Sequence, residues 1–271
     1  MLDVLGFVNK EKEKLKNLVA KLTKIDRKPR IAIITDDSNF DANQSYIKSK
    51  TAFAMDIDVS CDVIVLKNGD PLPRLASYDG VIIQYPFRDF TFEQFKDFVT
   101  ENVPGYLDID GIGEKAKYKA CTPLGIVTYL EHLRDTKVID KYNVTVNVVG
   151  CGGLVGEPLV DLLMQDKSYT VCVTRSNTDE WVADNFQASA DVIVCATPKH
   201  NLIRYPDWRK IYVDCGCNLV NGKLLGNVCR EAYCDEAQIT PVPNGVGRLT
   251  VLALYKNLLD AYRYKNSVEF I

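Results

Sequence analysis

Four short apolar runs in the second half of the chain, VTVNVVG, YTVCVTR, DVIVCAT and KIYVDCG, constrain its fold more than any other feature. They are short, apolar and rich in valine and isoleucine. Strands of that kind need cover on both faces, which a parallel sheet flanked by helices supplies. The first run, Val144 to Val149, leads into Gly150-Cys151-Gly152-Gly153-Leu154-Val155-Gly156, and Pro158 then opens a helix expected to reach Met164. Glycines at a strand-to-helix turn let backbone N–H groups and the positive end of a helix meet a pyrophosphate. The spacing is GxGxxxG rather than GxGxxG, so the turn is a weak signal when taken alone.

The next run strengthens it. Its end lies about 20 to 25 residues downstream, where folds of this class contact the adenosine ribose. Arg175, Ser176 and Asn177 stand there instead of a carboxylate. A guanidinium and a hydroxyl accept a 2′-phosphate, whereas Asp or Glu would favour a free 2′-hydroxyl. This points to NADP, with NAD as the alternative.

The first half alternates helix and strand as an α/β domain does. Helical spacing runs from Lys10 to Leu22, a buried strand from Arg30 to Asp37, and a second helix from Gln44 to Met55. Strands are expected at Asp62 to Leu66 and Gly80 to Gln84, with a loop between them. A helix from Pro123 to about Arg134, after the cap candidate Thr122, would connect two lobes, and a last helix from Leu249 to about Tyr264 would return to the first.

The 271 residues, 46% hydrophobic, suffice for one or two domains with a large core. A net charge of −3 leaves no basic footprint for nucleic acid, and no apolar run approaches a membrane span of about 20 residues. The lysine-rich start lacks a signal-peptide core, so a cytoplasmic protein is expected. Nine cysteines without a CxxC pair, and two histidines, make neither a metal site nor a disulfide framework; Cys172, Cys195 and Cys215 read as buried thiols in strands.

Candidate chemistry lies in the first half. Tyr46 and Lys50 are one helical turn apart and share a face, and a lysine beside an aromatic ring can manage protons; the same pair is also ordinary on a solvated helix. Gln84 closes the run GVIIQ, where its amide could hold the lysine, and Asp108 and Asp110 of DIDG would face the same way in an extended segment. Near the C-terminus, ITPVPNGVGRLT sets Pro241 and Pro243 before Gly245 and Gly247, glycines free to take positive φ and admit a ligand to the main chain.

In order along the chain, NQSYIKSK, GVIIQYPF, DIDG, CTPLG, VVGCGGLVG, ADVIVCATP, VDCGCN, GKLLGNV and ITPVPNGVGRLT resemble the successive signatures of the bifunctional methylenetetrahydrofolate dehydrogenase/cyclohydrolase family, over roughly residues 30 to 262. The resemblance implies a two-lobed α/β protein, usually a homodimer. Its N-terminal catalytic domain would span 1–121, completed by a C-terminal helix over 249–271. A connecting helix over 122–135 would lead to a Rossmann-like NAD(P) domain with a parallel sheet over 136–248, two long helices joining the lobes. It implies tetrahydrofolate derivatives as substrates, oxidised from the methylene to the methenyl form and then hydrolysed to 10-formyltetrahydrofolate.

Lys50 matches the family's catalytic lysine, Tyr46 the tyrosine against the folate's aminobenzoyl ring, Gln84 the lysine's support and Asp110 the pterin-binding aspartate. Pro243, Gly245 and Gly247 would contact folate; Gly150, Gly152, Gly153, Val155, Gly156, Arg175, Ser176, Ala196 and Thr197 would hold the cofactor. The chain departs from the pattern at Cys151 and Gly152, where the family has arginine and serine, at Arg175 for histidine, and at Asn244 and Arg248 in the PVPGGVGPMT signature. The stretches from Asp62 to Gly80 and from DIDG to CTPLG are short, which leaves open a branch that keeps the dehydrogenase alone, or a silent folate- or nucleotide-binding protein.

Overall fold

The computed structural model describes residues 2–67, 69–220, 223–230 and 238–266. The chain divides into two compact units, one of residues 9–121 with 251–266 and the other of 2–8 with 122–250. Residues 2–8 therefore leave the expected 1–121 span. Leu2 N–H donates to Ile239 O at 3.4 Å, and Phe7 stacks on His132 with ring centroids 4.6 Å apart. Residues 122–135 belong to the second of these units rather than standing apart as a connector. Of the C-terminal helix expected over 249–271, residues 267–271 lie outside the described residues.

In the first unit, β1 (Arg30–Asp36) lies between β2 (Ser60–Leu66) and β3 (Gly80–Ile83), all parallel. The central strand is buried from Ile31 to Asp36, whereas β2 at the edge exposes Val63 and Val65, as expected of a strand covered on one side only. Helix α1 (Val4–Ile25) precedes the sheet and α2 (Phe40–Asp56) joins β1 to β2. No helix lies between β2 and β3 among the described residues, in line with that short stretch. Helix α3 (Phe92–Asn102) was not foreseen, although Thr91 and Gln94 form a reciprocal capping box at its start. It buries Phe95 and Val99 against Ala32, Ile34, Val81 and Phe87.

The second unit holds α4 (Cys121–Asp135) from its second residue, then β4 (Val144–Val149), α5 (Gly153–Met164), β5 (Tyr169–Thr174), α6 (Glu180–Ser189), β6 (Val192–Cys195) and β7 (Ile211–Asp214). Antiparallel β8 (Asn218–Val220) and β9 (Lys223–Leu225) follow, then β10 (Gln238–Ile239) and the start of α7 (Val246–Asn266). The main sheet is parallel, in the order β10-β7-β6-β4-β5. The chain goes outward from β4 to β5 and then crosses back to β6, so the carboxyl ends of β4 and β6 flank a switch point where ligands of such sheets bind. Helix α5 starts at Gly153, five residues before Pro158, with Gly152 in extended backbone as its N-cap.

Candidate active site

The first unit collects its polar groups at the carboxyl edge of its sheet. Helix α2 carries Lys50, which is only 6% exposed, and its Nζ donates to Gln84 Oε1 at 2.9 Å just beyond β3. Asp110 Oδ2 lies 3.7 Å from the same Nζ. An ammonium has three donors, so the amide and the carboxylate leave it capacity for a third partner. Gln84 is itself oriented, since its Nε2 donates to Tyr85 O at 2.7 Å. Tyr46, one turn before Lys50, stays 47% exposed.

DIDG does not present two parallel carboxylates. The segment is a turn, and Asp108 folds inward to accept from Gly111, Ile112 and Gly113 N–H at 3.0, 3.1 and 2.8 Å. Burial pushes its carboxyl up to about 6; the Gly113 N–H opposes that rise and the neighbouring Asp110 adds to it. Asp108 thus builds the turn that aims Asp110 at Lys50. Gly111 takes φ 72°, and a Cβ there would stand 2.7 Å from Ala120 N. Behind the turn, Asn257 Nδ2 donates to Ile109 O at 2.9 Å and Lys119 O at 3.0 Å, and Cys121 Sγ lies 3.1 Å from Ile109 O. Burial, followed by the charge of Asp110, raises the Cys121 thiol far above its usual range and keeps it neutral.

Asn43 and Asn257 went unnoticed in the sequence. Asn43 is wholly buried, and its Nδ2 reaches Thr35 Oγ1 at 2.9 Å, Pro86 O at 2.8 Å and Gln84 O at 3.4 Å. It lies two turns before Lys50 on α2, so its place on the lysine's face was a legible signal. Nothing local marks Asn257, whose partners lie more than a hundred residues away.

In the second unit a cavity of about 290 Å³ opens at the carboxyl ends of β4, β6 and β7, lined by Gly152, Leu154, Val155, Ala196, Thr197, Pro198, Cys215, Cys217 and Asn218. Gly150 and Gly153 take φ 92° and 65°. A Cβ on Gly156 would sit 2.1 Å from Gly150 O, so only glycine lets α5 approach the turn. Gly152 has no atom within 4 Å of a Cβ position and leaves its backbone open. These features fit a pyrophosphate at the N-terminus of α5. Arg175 and Ser176 are exposed just past β5, and Arg175 Nη2 lies 3.8 Å from Cys151 Sγ, placing the guanidinium across the mouth of the turn. Cys195 is buried as expected, whereas Cys215 lines the cavity.

The loop over 239–250 corrects another expectation. Positive φ falls on Asn244, at 75°, and on neither Gly245 nor Gly247. Gly245 is required by packing, because a Cβ would meet Pro241 O at 2.1 Å, while Gly247 lies in open space in the first turn of α7. Arg248 closes on Asn244 through Nε and Nη2 at 3.1 and 2.9 Å from Oδ1, so the two departures from the signature pair with each other. Pro243 is exposed beside them.

Residues 120–266 match the family model described as the tetrahydrofolate dehydrogenase/cyclohydrolase NAD(P)-binding domain. The chain is 30% identical over 279 residues to a bifunctional FolD protein of Halothermothrix orenii, covering 93% of this chain and 94% of that one. It is 32% identical over 291 residues to the Staphylococcus epidermidis protein of the same name, covering 99% and 98%. The chain belongs to the methylenetetrahydrofolate dehydrogenase/cyclohydrolase family.

Solved members of this family share the fold. The bifunctional FolD enzyme of Campylobacter jejuni superposes with a TM-score of 0.77 at 25% identity, covering 97% of both chains. A 5,10-methylenetetrahydrofolate dehydrogenase of the silkworm, Bombyx mori, gives 0.82 at 22% identity over 99% of both. Among the described residues no helix is long and apolar enough to cross a membrane, and no group of three or more His, Cys, Asp or Glu side chains is placed to hold a metal ion.

Proposed function

We propose that this chain oxidises 5,10-methylenetetrahydrofolate with NAD(P)⁺ and hydrolyses the resulting 5,10-methenyl form to 10-formyltetrahydrofolate. The observation that carries the reading is the buried Lys50, held by Gln84 at 2.9 Å and facing Asp110 at 3.7 Å, in a chain alignable end to end with bifunctional FolD proteins. A buried lysine with two oriented acceptors costs desolvation that a mere binding protein gains nothing from. Retention of the whole set favours the bifunctional reading over a dehydrogenase alone.

In this reading residues 9–121 and the C-terminal helix form the folate-binding unit, and 122–250 the dinucleotide-binding unit. Asp110 accepts hydrogen bonds from the donor-rich edge of the pterin, and Tyr46 offers its ring to the aminobenzoyl group. Pro243, Gly245 and Gly247 contribute further folate contacts. Lys50 handles the proton at Nζ as water adds to the one-carbon bridge, and Gln84 fixes that atom in place. Gly150, Gly152, Gly153, Val155, Gly156, Ala196 and Thr197 would hold the dinucleotide, with Arg175 and Ser176 taking the 2′-phosphate; NAD is the alternative cofactor. The nicotinamide, when bound, supplies the hydride acceptor, and the protein's share of that step is orientation. A cytoplasmic homodimer acting on free tetrahydrofolate derivatives completes the reading.

The test is the purified protein with methylenetetrahydrofolate and NADP⁺ or NAD⁺, followed by methenyltetrahydrofolate absorbance. Product with neither dinucleotide would sink the proposal. Lys50→Met should abolish hydrolysis of added methenyltetrahydrofolate while folate still binds; hydrolysis surviving that change would remove Lys50 from its role.

A further inference from the structure

The cavity at the carboxyl ends of β4, β6 and β7 has three walls: the start of α5, the segment 196–198 and the segment 215–218. The first two meet at Gly150, where a Cβ would stand 2.6 Å from both Ala196 O and Thr197 Cγ2. The second and third share no strand pairing of their own beyond the ends of β6 and β7. Asn227, outside the cavity lining, bonds toward both. Asn227 is fully buried, and its Nδ2 lies 2.8 Å from Thr197 O, 3.0 Å from Thr197 Oγ1 and 2.6 Å from Lys199 O. Its backbone N–H donates at 2.7 Å to Asp214 Oδ1, the carboxylate that also accepts from Gly216 N–H at 2.9 Å and Val228 N–H at 3.1 Å.

The orientation of this amide is settled by its surroundings. Three oxygens encircle Nδ2, and a flipped amide would set Oδ1 against the two carbonyl oxygens among them. Oδ1 itself is buried with no hydrogen-bond partner, so donation alone holds the side chain. Its own neighbour Gly226 admits no side chain, because a Cβ would fall 1.9 Å from Asp214 Oδ2.

We infer that Asn227 is a positioning residue for the dinucleotide: through its side chain it fastens the 196–199 wall, and through its backbone the Asp214-anchored 215–218 wall, into one preformed pocket. This rests on the reading of that pocket as the NAD(P) site. With Asn227 truncated, Thr197 O and Lys199 O lose their buried donor and the wall is held less firmly, so the dinucleotide must order the pocket as it binds.

The experiment compares wild type with Asn227→Ala in the dehydrogenase and hydrolase reactions of the intact chain. The dinucleotide KM should rise at least about tenfold, with kcat at saturating dinucleotide changed less than about threefold. Hydrolysis of methenyltetrahydrofolate, which uses no dinucleotide, reports whether the variant is folded. An unchanged dinucleotide KM overturns the inference, as does a parallel loss of both reactions that merely tracks a lowered Tm. If Asn227→Ala does not fold, Asn227→Ser, too short to reach Thr197 O, is read by the same criteria. Wild type that binds neither NADP⁺ nor NAD⁺ would instead remove the reading of the pocket itself.

Discussion

Gly156→Ala isolates the contact on which the dinucleotide turn depends. The added Cβ would stand 2.1 Å from Gly150 O, 2.8 Å from Cys151 Cα and 3.0 Å from Gly150 C. Ordinary contact between carbon and a carbonyl oxygen is about 3.3 Å, so α5 must retreat by about 1.2 Å or the turn must open by as much. The opposing atoms are backbone and cannot swing aside as a side chain would. Overpacking of this kind costs about 3 kcal/mol, and the better helix propensity of alanine returns about 1 kcal/mol, leaving a net loss of about 2 kcal/mol. Thermal unfolding followed by circular dichroism should show Tm lower by roughly 4 to 8 °C. Calorimetric titration with NADP⁺ should show at least about tenfold weaker binding, equivalent to about 1.4 kcal/mol. Gly152→Ala is the control: its Cβ would meet nothing within 4 Å and its φ of −162° is extended. Its stability should then stay within about 0.5 kcal/mol of wild type. Wild-type Tm and affinity in Gly156→Ala would refute the account of why the turn needs that glycine.

Asp108 should titrate near pH 6, above its ordinary 3.8. A carboxyl raised in the folded state contributes stability that is full below pH 3.8 and lost as pH rises through about 6, by about 3 kcal/mol for a shift of this size. Urea midpoints from pH 4 to 8 should fall more steeply for wild type than for Asp108→Asn; parallel curves would contradict the assignment. Asn43→Ala strands Thr35 Oγ1 and Pro86 O, and should cost about 2 kcal/mol in urea unfolding while lowering kcat for hydrolysis through a displaced Gln84. Arg248→Ala removes only a half-exposed guanidinium from Asn244, so the unfolding free energy should fall by less than about 1 kcal/mol; a larger drop would mean that the pair fixes the start of α7.

The four valine-rich runs foretold a parallel sheet because strands covered on both faces favour such residues; β4, β6 and β7 are buried nearly end to end, whereas β5, at the edge, is buried only at Tyr169. Helices α3 and α6 escaped notice, since α3 packs only Phe95 and Val99 inward and α6 has no buried residue at all. Element ends also differ: α1 begins at Val4 rather than Lys10, and α7 at Val246 rather than Leu249.

The site divides in the same way. Residue type and spacing along the chain nominated Lys50, Gln84, the two aspartates of DIDG and the glycine turn as candidates, because helical period and strand ends are local properties, and the resemblance to the family chose Asp110 from its pair. Only the folded chain decided that Asp108 turns inward while Asp110 faces Lys50, that Asn244 rather than either glycine takes positive φ, and that Asn227 ties two walls of a cavity together. Each depends on which backbone N–H or C=O arrives from a distant segment. A side chain's own sequence neighbourhood carries no record of that, since hydrogen-bond partners are set by the packing of elements rather than by their order.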